Sequence, residues 1–229
     1  MKNFLIYVHP RKNFDTETTA LARVQIDNSY RMGWKADDIF LVTNFPYEYN
    51  GVRALEVPDS THSPVKNHTS KIDVILYLFE HGLLDGFYWF HDFDAFQLHW
   101  ITEQELGLGG FDIGCTDYGW SPKWNTGSFF FKPESSDIFQ RIWDLTRELW
   151  TDEERAMVKL TEDDKSISNR IKRMNITYNL GMRKIDYNLS IADKPLRVVH
   201  FHPGKRDLIK QFKPIIGNLM EVFDHHGCY

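Results

Sequence analysis

The run Gly86-Phe-Tyr-Trp-Phe-His-Asp-Phe-Asp94 limits the possible folds more than any other part of the chain. Its hydrophobic core, Phe87–Phe90, reads as a central strand, because a short continuous apolar run bounded by a glycine suits a buried strand. That strand delivers His91, Asp92 and Asp94 at its C-terminal end. In open α/β sheets, ligands bind in the crevice at that edge.

The rest of the chain alternates strand and helix patterns. Phe4 to Val8 reads as a buried first strand running into a loop at His9-Pro10. Residues 17–32 carry a helical pattern through Leu21, Val24, Ile26 and Tyr30, and Gly33 stops it. Asp38 to Thr43 is a second strand, and Asn44 to Pro58 is loop-like. Residues 66–83 form a helix whose apolar face holds Ile72, Ile75, Leu76, Leu78 and Phe79. Phe111 to Cys115 and Gly127 to Phe131 are strands around a polar and aromatic loop, Gly119 to Thr126. Residues 135–150 are helical, Asp163 to Met174 reads as one more helix, and Leu196–Phe201 is a late strand. This alternation predicts an α/β fold with a mixed, mainly parallel sheet flanked by helices.

A chain of 229 residues fits one such domain. The net charge of −5 gives no general pull towards nucleic acid. The basic stretches at Arg11–Lys12, at Arg170, Lys172 and Arg173, and at Lys205–Arg206 read first as solvated faces. Aromatic residues make up 15% of the chain, which suits a packed core and also a sugar-binding cleft. Cys115 and Cys228 read as reduced thiols rather than a disulfide framework. No apolar run approaches the roughly 18 residues of a membrane span, and the first apolar stretch is too short for a secretory signal, so a cytoplasmic protein is expected.

Four motifs carry chemistry. Asp92-Phe93-Asp94 places two carboxylates on a chain leaving a strand, where they can converge on a hard cation such as Mn²⁺ or Mg²⁺. The bland alternative is a loop or cap. His200-Phe-His-Pro-Gly-Lys205 ends a late strand and offers a third metal ligand, His200 or His202, with Lys205 as a point charge for phosphate. A turn with a core histidine would look the same. Asn125-Thr126-Gly127 is a polar turn before an apolar strand, and Asn125 can meet sugar hydroxyls as donor and acceptor. Glu162-Asp163-Asp164 opens a helix, as capping acids do, or supplies a carboxylate facing a reacting sugar.

Taken in order, these motifs resemble the GT-A glycosyltransferases, particularly glycosyltransferase family 8, the glycogenin and lipopolysaccharide-galactosyltransferase group. The likeness spans roughly residues 3 to 206. It runs through the loop at Val8 to Phe14, the helix Thr69-Ser70-Lys71-Ile72, the pair Asp92 and Asp94, the turn Asn125-Thr126-Gly127, Asp164 with Asn169, and Val198-Val199-His200-Phe201 before Gly204-Lys205. Lys165 departs from the glutamine usual after the acidic residue, and the closing motif is compressed by Pro203.

The resemblance implies a single GT-A domain, with a nucleotide-binding part over about residues 1–95 and an acceptor part over about 96–229. It implies a metal-dependent glycosyltransferase that takes a nucleotide-sugar donor, a UDP-sugar, and retains anomeric configuration. Asp92, Asp94 and His200 would bind the metal. His9, Arg11, Lys71, Asp92 and Lys205 would surround the donor, with Asn125 and Asp164 at the reacting sugar. An inverting enzyme would need a base such as Asp117 or Asp163. The acceptor stays open between a glycan, a lipid, a protein and a modified base in DNA. Two rival readings remain: a haloacid-dehalogenase-like phosphatase with Asp92 as nucleophile and Asp163-Asp164 as later acids, and a non-catalytic carbohydrate-binding protein.

Overall fold

The computed structural model describes residues 1–202 and 206–228. The first half of the chain runs β1 (Lys2–Tyr7), α1 (Thr16–Arg31), β2 (Ile39–Thr43), then the two-residue strands β3 (Glu48–Tyr49), β4 (Val52–Arg53) and β5 (Leu55–Glu56), followed by α2 (Ser70–Glu80), β6 (Tyr88–His91) and β7 (Ala95–Gln97). The second half continues with α3 (Glu103–Leu106), β8 (Ile113–Asp117), β9 (Trp124–Phe131), α4 (Ser136–Glu148), α5 (Glu153–Asp163), α6 (Lys165–Ser168) and β10 (Ile171–Met174). It ends with β11 (Leu180–Gly181), α7 (Ile185–Ile191), β12 (Val198–His200), α8 (Lys213–Ile216) and α9 (Leu219–His226).

Seven strands form the main sheet in the order β10-β8-β9-β6-β1-β2-β5. Pairs β6–β1, β1–β2, β2–β5 and β10–β8 are parallel, and β9 lies antiparallel between β6 and β8. The expected mainly parallel sheet is therefore present. Its side chains alternate between two cores, as the period of a strand requires. Leu5, Trp89 and Phe130 face α1, α9 and the small sheet, packing with Leu21, Val24, Phe96, Val198 and Phe223. Phe4, Ile6, Tyr88, Phe90, Phe129 and Phe131 face α2, α4 and α5, packing with Ile72, Ile75, Ile138, Ile142 and Met157. A buried strand wetted by neither face carries no polar alternation, which is why Phe87–Phe90 reads as one apolar run.

A second sheet, β11-β12-β7, sits at the end of the first. β7 follows β6 after a tight turn and pairs antiparallel with β12, setting His200 opposite Ala95. The antiparallel register lets a strand from the end of the chain return beside the central one.

Three sequence expectations change. The segment Asp163 to Met174 is not one helix; it splits into the short α6 and the strand β10. Ile171 and Met174 are buried while Lys172 and Arg173 reach outward, so the apolar spacing of three that resembles a helix belongs to an edge strand paired only with β8. The stretch before it forms α5, capped by Asp152, whose carboxylate accepts from the backbone N–H of Arg155. The loop-like segment 44–58 holds three two-residue strands.

Phe130 is fully buried and its ring stacks 4.8 Å from that of Trp89. Phe130→Ala is expected to cost about 3–5 kcal/mol through the cavity it leaves. In a thermal melt that should lower Tm by roughly 10 °C for a domain of this size. A shift smaller than the scatter of replicate melts would show that the sheet does not rest on this pair.

Candidate active site

The ends of β1, β6 and β9, the start of α5 and the strand β12 surround a cleft of about 570 Å³. Its wall includes Tyr7, His9, Lys71, Asp92, Asp94, Tyr118, Asn125, Gly127, Asp152, Glu153, Glu154, His200 and His202. A cleft of this size suits a ligand larger than a monosaccharide.

The turn after β6 aims the two aspartates. The Ala95 N–H donates to the Asp92 carbonyl at 2.9 Å, and the Asp92 N–H donates to the Gly127 carbonyl at 2.8 Å. The buried side-chain amide of Gln25, on α1, lies 2.8–3.2 Å from the carbonyl oxygens of Asp92, Phe93 and Ala95. Gln25 thereby adds a donor to a turn between two strands. His91 points away from the cleft; its Nε2 meets the Gln97 amide at 2.7 Å, and burial pushes its pKa down to about 3.

His200 arrives on β12, 106 residues after Asp94. Asp92, Asp94 and His200 offer ligand atoms within 4.8 Å of one another, a cluster able to hold a metal ion. The chemistry of the donors fits a divalent cation. The Asn179 amide donates to the Asn125 carbonyl, which leaves its oxygen to accept from His200 Nδ1 at 3.0 Å. With the proton on Nδ1, the lone pair on Nε2 points at Asp94 Oδ1 across 3.1 Å. In that tautomer both atoms can ligate a cation, and fixing the tautomer through the other ring nitrogen is how metal-binding histidines are prepared. Gly127 makes the room: a Cβ there would overlap the His200 ring. The His202 ring lies 3.9 Å from that of His200, tilted by 44°, and burial holds its pKa down at about 3, with His200 adding to the shift.

Lys71 balances the acids. Its Nζ lies 3.0 and 3.2 Å from the Asp92 oxygens, 3.3 Å from Glu153 and 3.1 Å from the Thr126 carbonyl. Burial alone would lower its pKa, but Asp92 and Glu153 outweigh that and hold it above the ordinary value. Burial raises the pKa of Asp92 in turn, with Lys71 opposing. Glu153 also accepts from the Thr69 and Thr126 hydroxyls at 3.1 and 2.9 Å, so its oxygens are fully engaged. Glu154 accepts from the Tyr118 hydroxyl at 2.7 Å and from the Thr126 N–H at 3.1 Å, and burial raises its pKa.

The expected residues fall into three groups. Lys71, Asp92, Asp94, Asn125 and His200 meet in the cleft, and His9 lines its edge. The His9 backbone is held there by Asn44, which accepts from its N–H and donates to its carbonyl. Asn125 is buried, and its Nδ2 has no partner among the described residues. Arg11 is exposed and outside the cleft wall. Asp164 is outside it too: its carboxylate caps α6 by accepting from Ser166 and Ile167. The acidic helix start that faces the cleft is Asp152-Glu153-Glu154, twelve residues earlier for the first of them, a shift that corrects the expectation. Its signal was legible as an aspartate cap, two first-turn acids and apolar Ala156, Met157 and Leu160. Gln25 and Asn179 carry no such signal. Lys205 lies outside the described residues.

No protein-family model matches the sequence, and no curated protein does. Solved structures do match. One is a glycosyltransferase involved in the glycosylation of the major capsid of PBCV-1, at 13% identity and a TM-score of 0.58, over 99% of this chain and 100% of that one. LgtC, a galactosyltransferase solved with donor and acceptor sugar analogs, matches at 13% identity and a TM-score of 0.60, over 99% of this chain and 95% of that one. GlyE of Streptococcus pneumoniae TIGR4 matches at 13% identity and a TM-score of 0.63, over 100% of this chain and 61% of that one. The chain has the GT-A glycosyltransferase fold.

Lys71→Met tests the charge balance. It would leave Glu153 buried and Asp92 half-buried without their counter-charge, which is expected to cost about 3 kcal/mol. Added Mn²⁺ should recover part of the lost Tm, by more than it raises that of the wild type. Equal shifts in both proteins would show that a cation does not replace the lysine's charge.

Proposed function

We propose that this protein is a metal-dependent glycosyltransferase that moves a sugar from a UDP-sugar to a hydroxyl acceptor. The observation that carries this reading is the triad of Asp92, Asp94 and His200 at the carboxyl edge of the sheet, in a fold that matches glycosyltransferases over their length. A divalent cation held there would supply positive charge to offset the negative charge of the departing diphosphate.

Asp92, Asp94 and His200 hold the cation, with Asn179 fixing the histidine tautomer and Gln25 fixing the aspartate turn. The nucleotide lies over the first 95 residues, between the end of β1 and α2, where Tyr7, His9, Thr18 and Asn67 line the cleft. Residues from 96 onward hold the sugar and the acceptor. The unpartnered Nδ2 of Asn125 is a donor ready for a sugar hydroxyl. Lys205 steadies the departing diphosphate.

Glu154 is the carboxylate we assign to the reacting sugar. Glu153 beside it is saturated by Lys71, Thr69 and Thr126, whereas Glu154 lines the same wall with only Tyr118 and Thr126 on it. A carboxylate there, on the cleft wall shared with the donor, suits retention of configuration. Asp163 and Asp117, the alternative bases, are paired with Lys159 and Arg173 and stand outside the cleft wall. The same placement leaves a phosphatase without its later acids, because neither Asp163 nor Asp164 approaches Asp92's cleft.

Purified protein incubated with Mn²⁺ and a panel of nucleotide sugars is expected to hydrolyse one UDP-sugar slowly. EDTA and Asp94→Asn should both abolish this. Glu154→Gln should lower turnover by about a hundredfold or more with little change in donor KM. Donor turnover that survives both EDTA and Asp94→Asn would sink the reading.

A further inference from the structure

The loop between β8 and β9 carries an aromatic surface that the donor chemistry does not use. Tyr118 lines the cleft and bonds Glu154, and two residues on, Trp120 stands outside the cleft wall with 37% of its surface exposed. A line of rings joins the two places: Trp120 lies 6.2 Å from Tyr118, Tyr118 lies 6.4 Å from His202, and His202 lies 3.9 Å from His200.

The Trp120 ring is held still. The Gly119 N–H donates to Asp117 Oδ1 at 2.7 Å, and the Trp120 N–H donates to the Tyr118 carbonyl at 2.9 Å. Gly119 has a left-handed φ of +73°, and a Cβ there would overlap the buried Asn188 side chain on α7. Asn188 in turn donates to the carbonyls of Gly181 and Arg183 at 3.2 and 3.1 Å. That fixes the segment carrying Arg183, whose guanidinium sits 4.6 Å over the Trp120 ring. The indole therefore has a cation over its ring, while 37% of the residue's surface stays open to solvent.

We propose that Trp120 is the acceptor platform and that the acceptor is a carbohydrate, whose pyranose ring packs against the exposed part of the indole. This rests on the glycosyltransferase reading above. The C–H bonds on the apolar face of a pyranose carry partial positive charge and meet the negative face of an aromatic ring. A single ring with a polar rim is too small for a lipid chain or a protein interface. A nucleobase would also stack, but the protein's net charge of −5 disfavours a polyanionic acceptor. Continuity with the cleft is the further argument: a sugar on Trp120 extends along Tyr118 towards Glu154.

The test uses the disaccharides lactose, maltose and cellobiose, read by saturation-transfer NMR and titration without donor. At least one should bind the wild type, Trp120→Ala should weaken it by about tenfold or more, and Trp120→Phe should keep most of the affinity. Melts of both variants check that the fold is kept. Equal binding by wild type and Trp120→Ala, or no binding of any of the three sugars, overturns the proposal. So does a Trp120-dependent affinity for a single-stranded oligonucleotide in place of the sugars. Donor hydrolysis by the wild type with Mn²⁺ is measured alongside. Its absence would count against the glycosyltransferase reading, whereas its presence without sugar binding at Trp120 would count against the platform alone.

Discussion

Two aspartates two residues apart can converge only if the chain between them is bent and kept bent. The Gln25 amide against the carbonyls of Asp92, Phe93 and Ala95 does this. It fills backbone acceptors that leave β6 before β7 has taken them up, and unfilled acceptors at that depth would favour another path for the chain. β7 then pairs with β12, and the pairing delivers His200 to the same place. The turn that aims the aspartates and the small sheet that brings His200 thus meet at one side chain on α1.

The cleft also has a charge problem, because Asp92, Asp94, Glu153 and Glu154 gather where few solvent molecules can reach them. Lys71 answers part of it, reaching Asp92 and Glu153 at once. Tyr118 and Thr126 answer another part by donating to Glu154. Asp94 meets His200, and with Asp92 these two form the cluster able to hold a cation. Fixed charges arranged before a ligand arrives need no reorganisation when it does, which is how such sites stabilise developing charge.

Much of this was legible in the sequence. The strand Phe87–Phe90, the aspartates after it, Lys71 on the second helix, Asn125 before β9 and His200 on a late strand are all announced by local pattern. The acidic helix start at Asp152 was equally local, but the acids at Glu162-Asp163-Asp164 drew the reading to the far end of the same helix. β10 was misread because an edge strand with outward Lys172 and Arg173 copies helical spacing. Gln25 and Asn179 could not be read at all, since each matters through partners brought near only by the fold: Gln25 meets a turn about seventy residues away, and Asn179 meets Asn125 and His200. Short strands such as β7 and β11, of three and two residues, likewise exist through their neighbours and not through propensity.

The distance along the chain between Asp94 and His200 has a consequence for assembly. A ribosome that has released the first half of the protein has exposed both aspartates but not their histidine. Until β12 docks, the acids at the sheet edge have Lys71 and no complete ligand set, so any capture of a metal there would belong to the last stage of folding. The ion would then act as a clasp between early and late parts of the chain, and the protein would gain its catalytic competence and its final closure in the same event.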